Sequence, residues 1–563
     1  VSDFEFDAAL WRTQGGGPLS HEHSVFSEDG RVKDGGGEGG SDAWCKKYRY
    51  TFGPKFGHAG VYTLRDDCSY GSAVERLTSK RKPRETGLHE QLIANQSLFY
   101  QSSILIEWRD CLRQRVADNF HSIDSDVWQN IRIDSEKAHV KAKLRRSEFI
   151  KADNTMPGDL DGVLSKRVVT YQFKDGECLD ASKKSRGTCN LGTMASLIGG
   201  YLMDHVKAAY SLPYRFRGAT AVFISSPTGP DLVDAFARIL TPTEDIEFIY
   251  YSDDSCIAIK CDDDGVSRYW RANLDISSCD ASNFAPVFGA TRHIMGGDSR
   301  FAHCIKAVFD QLMWSLTFIT PSGLKQTLKP TSPRLYSGSV LTTVVNNTAN
   351  MSIFLSISDE YYKYADEYGT AIPYDMIESV VKRAAGAAGY IITCDECIAN
   401  EDIQFLKRSA SIIDGVIHPW LNLGVWLRGF GSIEGDLGGS SNIPLAERAA
   451  LHNKGVVEGH KCDGEHIISQ AFREMVADTS TTEAIMTDYH GGVGATNSFI
   501  DTDYLSIRYR LSPIELIDLA SWIRTARLGQ LMASPVVDKI MLIDYGFMWG
   551  DGSVSTEEIM TPV

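Results

Sequence analysis

Residues 246–260 read IEFIYYSDDSCIAIK. Two runs rich in β-branched and aromatic side chains flank four polar residues, a pattern that favours pleated, half-buried strands on either side of a turn. The segment is expected to form a β-hairpin with Ser252, Asp253, Asp254 and Ser255 at its tip. Aspartate is ordinary turn chemistry. Two adjacent acids between buried strands are less ordinary, because their like charges repel unless a cation sits between them. A second acidic segment, RANLDISSCDASNF, follows at once, with Asp275 ending an expected strand and Asp280 five residues further on. A strand-end carboxylate close to a hairpin-tip carboxylate can bridge two divalent cations. Two such ions about 4 Å apart activate a 3′-hydroxyl and stabilise a leaving pyrophosphate. Hard oxygen ligands of this kind suit Mg2+.

The stretch LYSGSVLTTVVNNTANMSIF comes next. Ser337 and Gly338 open a flexible loop, and Thr342, Asn346 and Asn350 recur at i, i+4 and i+8 on one face of a helix beginning near Val340. A polar stripe on an apolar helix suggests groups presented to a ligand; an ordinary amphipathic helix explains it as well. Helical spacing also marks 88–120, 302–316 and 464–477, and strand-like runs lie at 167–173 and 220–225. The mixture has no regular alternation, which favours an α+β fold over a doubly wound sheet.

The chain has 563 residues, enough for two to four packed subdomains, and 43% hydrophobic residues, enough for a large core. Its net charge of −16 argues against a wholly basic nucleic-acid coat. The charge is uneven, however. Residues 76–217 carry 24 Lys/Arg against 17 Asp/Glu, including KRKPR (Lys80 to Arg84) and KAKLRR (Lys141 to Arg146). That asymmetry points to an anionic partner for the first 220 residues. Three glycine clusters within 13–43 read as a flexible strap. The start, VSDFEFDAALWR, lacks a basic stretch followed by an apolar one, so no secretory signal is expected, and no run is long enough for a transmembrane segment. A reducing compartment with free cysteines is expected. Cys394 and Cys397 form a lone CxxC without a second pair at zinc-finger spacing.

Five segments together resemble the motifs of viral RNA-dependent RNA polymerases. DISSCDAS resembles motif A, SGSVLTTVVN motif B, and YSDD motif C. Phe405, Leu406, Lys407 and Arg408 spell the FLKR of motif E, and YQFKDGECLDASKKSRG resembles motif F. The resemblance covers about residues 165–410. The order is F-C-A-B-D-E instead of the usual F-A-B-C-D-E, and no adjacent acid pair flanked by strand-like runs lies between Asn350 and Phe405. This order resembles the permuted palm of permutotetravirus polymerases and, more distantly, of birnavirus polymerases, whose motif C is ADN where this chain keeps both acids.

The resemblance implies a right hand of fingers, palm and thumb. Residues 1–45 would be a glycine-rich strap, 46–240 fingers, 241–289 palm, 290–335 a fingers insertion, 336–404 palm, and 405–563 motif E and thumb. It implies that Asp253 and Asp275 bind catalytic Mg2+ (or Mn2+), with Asp254 assisting, and that Asp280 and Asn346 read the ribose 2′-hydroxyl, supported by Thr342. Ser337 and Gly338 would let the motif B loop move. Lys174, Lys184 and Arg186 would hold the triphosphate, and Phe405 to Arg408 the primer strand. In the motif D segment GYIITCDEC, Cys397 stands where related enzymes lead to a lysine; Lys382 is near in sequence, and TMPG (Thr155 to Gly158) resembles motif G weakly. The implied partners are an RNA template and product strand, NTPs, a protein primer unless initiation is de novo, other viral replication proteins, and a second copy of the chain in a homo-oligomer. The implied place is the host cytoplasm or the virion. A reverse transcriptase, a noncatalytic RNA-binding scaffold and an unrelated carboxylate metal hydrolase are the alternatives. The motif order and FLKR disfavour the first, the retained acids the second, and motifs B, E and F the third.

Overall fold

Strands dominate residues 214–276, and their pairing sets the frame for everything else. The computed structural model describes residues 4–6, 50–51, 64–65, 169–173, 187–191, 213–225, 227–294, 306, 308–319, 325–330, 332–429, 457, 464–477, 499–525 and 534–546. A six-stranded sheet runs in the order Ile392–Glu396, Val266–Ile276, Asp254–Asp263, Ile246–Tyr251, Ala219–Phe223, Tyr214–Phe216. Neighbours are antiparallel except Ala219–Phe223 and Ile246–Tyr251, which run parallel and are joined by helix Gly229–Leu240. That helix starts with a capping box: Asp231 N–H donates to Thr228 Oγ1 at 3.4 Å, and Thr228 N–H donates to Asp231 Oδ2 at 2.8 Å.

The sheet is buried on both faces, and its sequence alternates accordingly. Ile246, Phe248 and Tyr250 enter the core shared with helices Thr342–Tyr368 and Tyr374–Ala387, while Ile249 enters the core of helix Gly229–Leu240. On the next strand Ile257, Ile259 and Cys261 take the first face, and Cys256 and Ala258 the second. The second face is closed by the hairpin Arg408–Ile413 and Val416–Leu421, through Ala410 and Ile417. Strands Asp254–Asp263 and Val266–Ile276 meet at Asp264 and Gly265, both left-handed (φ 52 and 82), the two-residue connection whose twist suits a hairpin.

A separate core begins near Trp420. It packs helices Leu423–Gly429, Ile467–Ala477, Thr502–Tyr509, Pro513–Thr525 and Pro535–Tyr545 through Trp426, Phe472, Leu505, Leu516 and Ile540. A second sheet orders Phe4–Phe6, Lys325–Pro330, Leu316–Ile319, Val169–Phe173 and Gly187–Asn190, drawing on segments far apart in the chain. Among the described residues no helix is long and apolar enough to cross a membrane.

Several expectations change. The hairpin turn is narrower than the tetrad 252–255: Tyr251 pairs with Asp254, so only Ser252 and Asp253 turn, and Asp254 and Ser255 are strand residues. Left-handed Ser252 (φ 55) makes the two-residue turn geometrically accessible. Parallel pairing with Ile246–Tyr251 brings Ala219–Phe223 into the six-stranded sheet, with helix Gly229–Leu240 as the crossover. Within the helix expected over 302–316, the described residues 306 and 308–310 are helical; the segment then tightens to a 3-10 turn at Gln311–Met313 and ends at strand Leu316–Ile319, which is paired on both sides. The expectations for 88–120, for the basic clusters and for the glycine clusters fall outside the described residues, as do Lys174, Lys184, Arg186 and Thr155 to Gly158.

Candidate active site

The acidic residues converge at one end of the six-stranded sheet. Asp254 begins its strand and lies directly opposite Asp275, near the end of the neighbouring antiparallel strand. Residues opposed in this way put their side chains on the same face, with Cβ atoms about 4.5–5.5 Å apart. Asp253 adjoins them in the turn. Asp253 and Asp275 are exposed, and Asp254 is half-buried. Burial pushes the Asp254 carboxyl up to about 7; the Leu406 N–H and Lys407 pull it down, while the charges of Asp253 and Asp275 push it further up. The buried thiol of Cys279 is also held well above its ordinary range, by burial first and then by Asp253, Asp280 and Asp275. One thiol therefore feels all three of these acids.

Asp254 is tied to the FLKR segment. Phe405 and Arg408 exchange backbone hydrogen bonds of 2.9 and 3.0 Å around Leu406 and Lys407, both left-handed (φ 51 and 59). The turn aims the Leu406 N–H at Asp254 Oδ2, 2.8 Å away. Phe405 and Arg408 are buried, while Lys407 is exposed, donates to the Asp544 carbonyl at 3.2 Å and lies over the Tyr545 ring. Only Leu406 and Lys407 of the four reach the surface in part.

On the other side of the turn stands helix Thr342–Tyr368. Asn346 Nδ2 donates to Asp280 Oδ1 at 3.0 Å and to Ser252 Oγ at 3.3 Å, while Asn346 Oδ1 accepts from Asn283 Nδ2 at 2.8 Å. Tyr390 donates to Asn283 Oδ1 at 2.9 Å. Asn347 Oδ1 accepts the Ser252 N–H at 2.8 Å, and Asn350 Nδ2 donates to the Ser252 carbonyl. The asparagines of the expected polar stripe therefore face protein: Asn346 and Asn350 are each 1% exposed. The reason is the turn itself, whose backbone groups need partners in a buried setting. Thr342 Oγ1 donates to the Tyr336 carbonyl at 3.1 Å and so braces the loop before the helix. In that loop Ser337 accepts a backbone hydrogen bond from Cys189 at 2.7 Å, and Gly338 is left-handed (φ 95).

The structure thus brings together Asp253, Asp254, Asp275, Asp280, Asn346 and the 406–407 turn. It adds Ser252, Asn283, Asn347 and Tyr390, which sequence spacing alone does not connect. In the motif D region Lys382 pairs with Glu378 one helical turn away, and burial pushes the thiols of Cys394 and Cys397 up to about 12. Among the described residues no three His, Cys, Asp or Glu side chains are gathered into a ready metal cage. Asp253, Asp254 and Asp275 are hard oxygen donors of the kind that Mg2+ takes, and the strand register sets Asp254 opposite Asp275.

No family model matches the chain, and no curated protein matches it. Solved structures do. The birnavirus VP1–VP3 complex aligns with a TM-score of 0.40 and 12% identity, over 79% of this chain and 59% of that one. The RNA polymerase VP1 from Infectious Pancreatic Necrosis Virus aligns with a TM-score of 0.39 and 13% identity, over 80% of this chain and 60% of that one. The chain spans about three fifths of the length of these structures.

Proposed function

We propose that this chain is a viral RNA-directed RNA polymerase, transferring nucleotides from NTPs to an RNA 3′-hydroxyl with release of pyrophosphate. The observation that carries the reading is the register of Asp254 against Asp275 with Asp253 in the adjoining turn. It lets the motif order C-A-B, like that of permutotetravirus polymerases, deliver the acids that this chemistry needs to one place. Chain order is immaterial to a cation; only adjacency of the carboxylates counts.

In this reading Asp253, Asp275 and Asp254 hold Mg2+ or Mn2+. When bound, the ions sharpen the attacking hydroxyl and neutralise charge on the departing pyrophosphate. Asp280, oriented by Asn346, meets the ribose 2′-hydroxyl and separates ribonucleotides from deoxyribonucleotides. Thr342 braces the loop at the Tyr336 carbonyl, and Ser337 and Gly338 let that loop move as the template advances. Lys174, Lys184 and Arg186 grip the triphosphate with charge-assisted hydrogen bonds. Phe405 to Arg408 would grip the primer strand, with Lys407 as the exposed member of the four. RNA template and product, a protein primer, other replication proteins, a second copy of the chain and a place in host cytoplasm or virion belong to the same proposal.

The test is extension of a primed RNA template with labelled NTPs. Wild-type protein should extend it in Mg2+ or Mn2+ and prefer NTPs to dNTPs. Asp253→Ala should abolish extension while stability stays within about 0.5 kcal/mol, as for an exposed side chain. Retained extension in Asp253→Ala would remove that residue from the site. Preference for dNTPs would indicate a reverse transcriptase, and template binding without incorporation by wild type a noncatalytic scaffold.

A further inference from the structure

The turn that carries Asp253 is clamped at its first residue by side chains of another element. Ser252 is left-handed (φ 55), 9% exposed, and bonded on both sides of its α-carbon. Its N–H goes to Asn347 Oδ1 at 2.8 Å and its carbonyl to Asn350 Nδ2. These partners fix the orientation of each amide, because an N–H needs an acceptor and a carbonyl a donor. The remaining amide atoms, Asn347 Nδ2 and Asn350 Oδ1, are buried without a hydrogen-bond partner. Buried polar atoms left unpaired are disfavoured, so two of them on adjacent helical turns make poor sense as packing. They make sense if the other half of each amide is needed.

We infer that Asn347 and Asn350 are positioning residues that hold Ser252, and through it the Asp253 carboxylate, in the geometry that receives a divalent cation. The inference rests on the polymerase reading for the use made of the cation, and not for the clamp. Asn347 supplies an acceptor and Asn350 a donor, so the two sites should answer oppositely to the same substitution. Asparagine to aspartate adds the same charge at both positions. It keeps the acceptor at 347 and destroys the donor at 350.

The experiment measures Mn2+ binding by titration calorimetry without nucleotide, alongside melting temperature and RNA extension. Asn347→Leu and Asn350→Leu should each weaken Mn2+ binding about 10-fold to 100-fold, the usual effect of losing a group that orients a metal ligand. Their melting temperatures should stay near wild type, since each also removes an unpaired buried atom. Asn347→Asp should recover most of the affinity that Asn347→Leu loses, and Asn350→Asp none. Leucine variants that bind Mn2+ like wild type overturn the inference, as do aspartate variants that behave alike at the two positions. If a leucine variant fails to fold, the aspartate pair decides by the same asymmetry. Wild-type protein that binds Mn2+ with this pattern but extends no RNA refutes the polymerase reading and leaves the clamp standing. Extension by wild type with unaltered Mn2+ binding in the variants does the reverse.

Discussion

Asp254 carries opposing influences: burial and two like charges against one N–H and one ammonium. Its place at the hairpin is legible in the sequence, where adjacent acids between strand-like runs call for compensation. Asp253 is legible for the same reason, and Asp275 and Asp280 by their position in the acidic segment that follows. Asn347 is not, since it lies one position, about 100° of helix, away from the Thr342–Asn346–Asn350 stripe. Asn283 and Tyr390 meet across 107 residues of chain, and no local pattern announces such a pair. Gly338 was readable as a mobile loop glycine, and the fold gives it a stricter reason. At φ 95, a Cβ there would stand 2.8 Å from the Cys189 carbonyl oxygen. Gly338→Ala should cost about 1–3 kcal/mol, measured by denaturant unfolding. An unchanged midpoint would mean that the contact yields freely.

Among the elements, the hairpin and the long helix were the most legible. Strand propensity and a central polar stretch define the first, and helix Thr342–Tyr368 runs for 27 residues from close to the expected start at Val340. Helix Gly229–Leu240 carried a local signature, a threonine three residues ahead of an aspartate with proline in the first turn. Thr228→Ala should remove one half of its capping box and destabilise the protein by about 0.5–2 kcal/mol, visible as a lower melting temperature. Leu316–Ile319 was not readable as a strand, because its partners Val169–Phe173 and Lys325–Pro330 come from both sides in sequence. Pairing at a distance fixes this strand, which begins where the helical stretch of 306–310 and its 3-10 turn have ended.

For the molecule as a whole, the structure adds how the C-terminal helices are bolted to the segment that leads into the FLKR turn. Arg508 and Asp544 form an ion pair at 2.8 Å with side chains 2% and 0% exposed. Arg508 also donates to the Glu401 carbonyl at 3.0 Å and to Gln404 Oε1 at 2.8 Å, just before the turn that donates to Asp254. Nothing in the local sequence marks that pair, whose members come together only when the C-terminal helices pack. Arg508→Met should leave Asp544 buried without its cation and cost about 3–5 kcal/mol, read by denaturant unfolding. A change below about 1 kcal/mol, the scale of an exposed pair, would mean that solvent reaches the site.

The two strands that present Asp254 and Asp275 also work as a ruler. Asp254–Asp263 is 10 residues long, and its partner sets out from Val266 on the far side of the Asp264–Gly265 bend, so Asp275 meets Asp254 by counting rungs. A register slip of one residue at that bend would turn Asp275 over together with the buried Trp270, Ala272 and Leu274, so loss of extension should come with loss of stability. Lineages carrying this motif order are therefore expected to vary the composition of the bend while conserving its length.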